Sequence, residues 1–229
     1  MDYQDIITFE EEAVMLLEDK EAWALIEDPR YEAIIIVLRK GPMTVKDLET
    51  AYNLHVAKKI DKMPLETKEK NELKEKTKRK GKTLYKYLDV LEKKGLIKQV
   101  GKRVKMGQTA SETIYGRSAK LYLMCDKHKI ELKKDEVSRI MPVLGKIVSL
   151  EKKEPKVSVE CFTKFMGKVY SLLQNERQRV FNEFSEEIRE ISSNIHYDEL
   201  NLVVHGLDFY FLITHAAELR KELEKCFKS

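Results

Sequence analysis

Apolar residues recur at helical spacing through most of the chain, and the pattern turns strand-like only between about residues 96 and 124. Asp28-Pro29 reads as a helix start, because Asp can cap the first free amides and Pro at the first helical position gives up a donor that has no partner there. Ala33, Ile34, Val37 and Leu38 then repeat along Tyr31 to Lys40, and the basic pair Arg39-Lys40 ahead of Gly41-Pro42 marks the end. Thr44-Val45-Lys46-Asp47 has the form of a capping box opening a second helix, with Val45, Leu48 and Tyr52 turned inward. A third helix, about 82–94, carries Leu84, Leu88 and Leu91 on one stripe and meets Gly95, suited to a left-handed cap. Leu96 to Val100 and Thr113 to Met124 read as strands around a basic, turn-like Gly101 to Gln108, which makes a hairpin wing of about 101–112.

Beyond Met124 the pattern is helical. Lys133 to Ser149 spaces Val137, Ile140, Met141, Leu144, Ile147 and Val148 as a helix, with Pro142 as a kink point, and Glu154-Pro155 marks a break. Cys161 to Asn194 reads as one long amphipathic helix, and Glu199 to Phe227 is apolar on several faces. Helices apolar over so wide an arc are buried on more than one side, and pairing with a second copy achieves this most readily. A ligand pocket walled by Phe209, Tyr210 and Phe211 is the alternative use of that apolar surface. The expected architecture is mainly α with a small β-hairpin (α+β). It comprises an acidic N-terminal helical segment (1–21), a winged helix-turn-helix domain (22–124) and a C-terminal helical dimerisation domain (125–229).

Charge sharpens this picture. Residues 1–38 hold 2 basic and 11 acidic side chains, whereas residues 39–105 hold 21 basic and 9 acidic, so a block of net charge +12 sits inside a chain of net charge +4. Such a block is the electrostatic footprint of a polyanion-binding surface; the alternative is a solvated lysine-rich face. Within it, the third helix turns Lys82, Thr83, Tyr85, Lys86 and Asp89 away from its leucines, as a helix entering the DNA major groove requires. Lys46 at the second helix and Lys102, Arg103 and Lys105 on the wing are the expected supporting contacts to the phosphate backbone or an adjacent minor groove. The fraction of charged residues, 36%, exceeds the roughly 25% of ordinary domains and fits long, solvated helices.

The opening MDYQDIITFEEEA lacks the basic start and apolar run of a signal peptide, and no apolar stretch reaches the roughly 18 residues of a membrane span. The expected setting is therefore cytoplasmic, with no membrane partner. Cys125, Cys161 and Cys226 are far apart and show no CxxC spacing, which argues against a disulfide framework or a structural zinc site. His205, Asp208 and His215 fall near one helical face but lack a compact metal-binding spacing, and His128 and His196 show none, so no metal ligand and no cofactor is assigned. Lys80-Gly81-Lys82-Thr83 matches the end of a phosphate-binding loop without its upstream glycine, and no arrangement of catalytic residues is legible.

With these residues in view, the chain resembles archaeal winged-helix regulators of the ArsR-like class over residues 22–124. The resemblance rests on Glu27-Asp28-Pro29-Arg30, on Met43-Thr44-Val45, on Thr83-Leu84-Tyr85-Lys86-Tyr87-Leu88, on Leu91-Glu92-Lys93-Lys94-Gly95-Leu96-Ile97, and on Thr113-Ile114-Tyr115-Gly116-Arg117-Ser118-Ala119-Lys120-Leu121-Tyr122. It implies sequence-specific binding of double-stranded DNA by a homodimer and no enzymatic activity. Two features depart from the pattern. Residues 54–80 form a charged insert, ten basic to five acidic, with Lys68 to Lys80 expected as an exposed helix, and no cysteine precedes Cys125. A protein-interaction scaffold and a nonspecific DNA-binding architectural protein are the rival readings. Nothing in the sequence specifies a small-molecule effector.

Overall fold

Most of the chain is helical, with a small curled antiparallel sheet in its first half. The computed structural model describes residues 3–105, 110–124, 134–153 and 157–227. The chain divides into two units, Met1–Leu123 and Met124–Ser229, close to the boundary expected from the change of pattern at Met124.

In the first unit, β1 (Tyr3–Ile7) and β2 (Glu12–Leu17) precede α1 (Lys20–Glu27) and α2 (Pro29–Val37). Asp19 and Asp28 cap the two helices by accepting the Glu21 and Arg30 amides. After a 3-10 turn, Leu38–Lys40, and the two-residue β3 (Met43–Thr44), Thr44 caps α3 (Val45–Asp61) by accepting the Asp47 amide at 3.3 Å. α4 (Thr67–Thr77) follows, then α5 (Gly81–Lys93), β4 (Ile97–Lys105), β5 (Ser111–Arg117) and β6 (Ala119–Met124). α5 ends as its sequence predicts: Gly95 takes φ of 70°, its amide donates to Glu92 O and the Leu96 amide to Leu91 O, a Schellman closure that only glycine enters without strain.

The four-stranded sheet runs in the order β1-β4-β5-β3, and β2 pairs with β6 in a second, two-stranded sheet. β4 and β5 form the expected hairpin, with a bulge at Gln99/Gly101. At Gly101 a β-carbon would stand 2.1 Å from the Ile6 carbonyl oxygen, so the close passage of β1 over β4 requires glycine there. The core joins α2, α3 and α5 to the sheet through Ile34, Leu48, Leu84, Leu88, Leu91, Leu96 and Ile97, all 1% exposed or less. Each such side chain contributes roughly 1.5–3 kcal/mol of transfer free energy. Tyr122 is buried in the same core with its hydroxyl donating to Leu96 O, and burial pushes its pKa up to about 12.

Several expectations are corrected by the structure. The acidic opening, expected as a helical segment over 1–21, instead supplies β1 and β2 before α1 begins at Lys20, because the unpaired edges of β4 and β6 offer backbone partners that a short helix would not have. The second helix does not stop near Asn53 but runs to Asp61. The insert 54–80 is therefore the end of α3 and α4 folded back on it as a helical hairpin. Lys70 Nζ donates to Asp61 O at 2.9 Å, and Lys74 pairs with the Asp61 carboxylate at 2.7 Å, placing positive charge at the C-terminal end of α3.

The second unit contains α6 (Lys134–Lys152, with Pro142 inside it), α7 (Val159–Glu183), α8 (Ser185–Ile191), α9 (Tyr197–Thr214) and α10 (Ala216–Lys225). The long helix expected over 161–194 is interrupted at Phe184, and the last helical stretch at His215. A further correction concerns cysteine. Cys161 and Cys226 form a disulfide across 65 residues, because packing brings the start of α7 against the end of α10, a proximity that local spacing cannot report. Cys125 lies outside the described residues. Met141, Val157, Phe162 and Cys226 are the buried centre of this cluster. Among the described residues no helix is long and apolar enough to cross a membrane.

Candidate nucleic-acid interface

The position of α5 is set at its start by α3. The Gly81 amide donates to Glu49 Oε2 at 2.6 Å, which puts a carboxylate at the positive end of the helix. Asn53 grips Arg79 with both ends of its side-chain amide: Oδ1 accepts the Arg79 N–H, and Nδ2 donates to the Arg79 carbonyl, each at 2.8 Å. The hairpin made by the insert is therefore closed at its base, and the chain re-enters α5 beside α3 despite the additional residues. With Leu84, Leu88 and Leu91 buried, helical geometry turns Lys82, Tyr85, Lys86 and Asp89 outward on one face. Thr83 is half-buried, and Tyr85 is 55% exposed.

Lys46 lies in the first turn of α3, three residues before Glu49 and hence on the same helix face as the side chain that holds Gly81. The structure thus brings Lys46, Lys82, Tyr85 and Lys86 to one region around the start of α5. Among the described residues, Lys46, Lys82 and Lys86 form no ion pair. By contrast, Lys93 pairs with Asp89 at 2.8 Å, and Lys94 with Asp19 at 2.9 Å and Glu21 at 2.5 Å. An exposed ammonium without a carboxylate partner carries only solvent and counterions, which is the condition for exchanging them with a phosphate.

The wing residues separate. Arg103 Nε and Nη2 donate to the two Asp5 oxygens at 2.6 and 2.8 Å, and Nη1 donates to Asp47 Oδ2 at 2.5 Å. Asp47 also accepts the Thr44 hydroxyl at 3.0 Å. The Asp5 carboxyl is held below its ordinary pKa by the Arg103 hydrogen bond. Arg103 is thereby a strut joining β1, β4 and the start of α3 rather than a side chain held out toward a phosphate. The cause is the acidic N-terminal strand, whose place beside the β4–β5 hairpin was not expected. Lys102, exposed, alternates to the opposite side of β4 from Arg103. Lys105 pairs with Tyr3 through the backbone; its side chain and residues 106–109 of the expected wing lie outside the described residues. Lys98 sits over the Phe9 ring at 4.5 Å.

The run at the end of the β4–β5 hairpin has a structural role as well. Arg117, its side chain 3% exposed, pairs with Glu11 at 3.1 Å and donates to Lys120 O at 3.0 Å, fastening the segment before β2 to the β5–β6 turn. In the second unit, Asp208 is engaged by the Arg177 guanidinium, while His215 faces Glu176 at 3.6 Å and Glu218 at 3.9 Å. Among the described residues no group of three or more His, Cys, Asp or Glu is placed to hold a metal ion. Phe211 is buried, whereas Phe209 and Tyr210 are 67% and 60% exposed and do not enclose a pocket between them. Compared with protein-family models and with curated proteins, the sequence finds no match.

Proposed function

We propose that this chain is a winged helix-turn-helix protein that binds double-stranded DNA as a homodimer and acts as a transcriptional regulator, by binding rather than by catalysis. The observation that carries the reading is the exposed face of α5, where Lys82, Tyr85 and Lys86 stand with Lys46 and, among the described residues, no carboxylate pairs with the three lysines. The order α2, β3, α3, α5, β4, β5, with β3 added to β5 beside the hairpin, supports the winged-helix assignment. α5 enters the major groove by its N-terminal half, Lys46 contacts the flanking phosphate backbone, and Lys102 supplies what remains of the wing's described positive charge.

The homodimer reading is supported by apolar stripes on the second unit. Leu202, Phe209 and Ile213 on α9 are 69%, 67% and 74% exposed, and follow one another at helical spacing with Gly206 between them. Ile140, Val143, Ile147 and Leu150 make a similar stripe on α6. A cytoplasmic setting goes with binding to DNA, although a structural disulfide such as Cys161–Cys226 is more usual in oxidising compartments. The test is selection from a random duplex pool with the full chain and with a Lys82→Ala/Lys86→Ala variant, alongside light scattering. Enrichment of an inverted repeat, lost in the variant, and a dimer mass lost on Phe209→Glu/Ile213→Glu are the expected results. No enrichment by the parent chain refutes sequence-specific recognition, and a monomer at micromolar concentration refutes the dimer.

A further inference from the structure

The insert creates a cavity as well as lengthening the chain. Folding α4 back on α3 leaves a half-open cleft of about 270 Å³ beside α2, with Ala33, Val56, Ile60 and Leu73 as its apolar walls. At about 30 Å³ per water, that space accommodates a molecule of about ten non-hydrogen atoms. An apolar cavity of this kind with a few converging polar groups is the usual form of a small-ligand site.

The polar groups at the cavity are cationic or neutral donors. Arg79 lines it half-buried, donating from Nε to the Tyr87 hydroxyl at 3.3 Å and from Nη1 to the Lys76 and Lys78 carbonyls at 2.8 and 3.0 Å. Among the described residues it has no carboxylate partner, unlike Arg30 and Lys59 at the same cavity, which pair with Asp28 and Glu32. Tyr52, only 3% exposed, also lines the cavity, and its hydroxyl makes no hydrogen bond with any described residue. Burial raises the pKa of that hydroxyl, and Arg79 lies close enough to oppose the rise. His55, another lining residue, is held below the ordinary imidazole value first by burial and then by Lys59. A tyrosine hydroxyl and a half-buried guanidinium, neither with a carboxylate partner among the described residues and both on residues lining this apolar cleft, are complementary to a carboxylate on an apolar body.

We propose that the cavity between α2, α3 and α4 is a binding site for a small apolar carboxylate, its carboxylate on Arg79 and the Tyr52 hydroxyl and its body against Val56, Ile60 and Leu73. Because Arg79 touches Tyr87 of α5 and is gripped through its backbone by Asn53, the occupant sits directly behind the start of α5. The site goes beyond the DNA-binding reading and is tested without DNA.

The experiment is calorimetric titration of the full chain with phenylacetate, ten non-hydrogen atoms, against the neutral phenylacetamide of the same shape. Phenylacetate is expected to bind, with phenylacetamide at least tenfold weaker. Tyr52→Phe, which keeps the ring, is expected to lose about tenfold in affinity for the carboxylate alone, as for one hydrogen bond to a charged group. Val56→Phe, which fills the cavity, is expected to abolish binding while thermal melting reports that the variant is folded. Equal affinity for acid and amide overturns the proposal, as does binding unchanged in both variants or no binding of phenylacetate at millimolar concentration.

Discussion

Removing Lys82 and Lys86 isolates the electrostatic contribution of α5, since both side chains are exposed and neither has an ion pair to lose among the described residues. Each phosphate neutralised by a lysine contributes about 0.9 to the slope of log affinity against log salt. The double variant Lys82→Ala/Lys86→Ala therefore lowers the slope by about 1.8 per protomer. Over a fourfold change of salt, from about 50 to about 200 mM, the parent chain then loses about twelvefold more affinity per protomer than the variant does. Fluorescence anisotropy with a labelled duplex at several potassium chloride concentrations measures both slopes, and any duplex serves, because this contribution does not depend on sequence. Lys93→Ala is the control: Lys93 is on the same helix but already paired with Asp89 at 2.8 Å, so its removal should leave the slope unchanged. An unaltered slope in the double variant, or an equal change in the control, refutes the assignment of this face to phosphate.

Other consequences concern stability. Glu11→Ala leaves the buried Arg117 without its carboxylate and should cost about 3 kcal/mol in urea unfolding, with much of it restored by adding Arg117→Met; a Glu11→Ala variant as stable as the parent would mean that the pair does not hold β2 in place. Asp5 has its folded pKa depressed below 3.8 by Arg103, so the stability it contributes is present above that pH and disappears as pH falls through the folded value. The difference between the parent and Asp5→Asn, no more than about 1 kcal/mol because the carboxylate is over a third exposed, should therefore close in acid melts below pH 3.8; a gap that persists at lower pH contradicts the pairing. Replacing Cys161 and Cys226 by Ser opens a loop of 65 residues and should lower the stability of the second unit by about 4 kcal/mol, leaving the first unit's melting unchanged. Differential scanning calorimetry separates these transitions, and an unmoved second transition would show that the bridge adds nothing to the fold.

The sequence by itself determined what is local. Asp28-Pro29, Thr44 and Gly95 placed three helix ends, and the leucine stripe of α5 decided which of its residues face outward, because caps and periodicity act within one or two turns of chain. That Lys82, Tyr85 and Lys86 face outward was legible on those grounds alone. Tertiary structure decided whatever joins distant segments. The acidic opening became a strand because β4 had an edge to pair, and its Asp5 then turned Arg103 from a wing cation into a strut 98 residues away. The insert became a closed hairpin with a cavity through the pairing of Asn53 with Arg79 across 26 residues, and Cys161 met Cys226 across 65. Periodicity carries no information about such partners, since edge pairing, ion pairing and disulfide formation depend on where the folded chain returns.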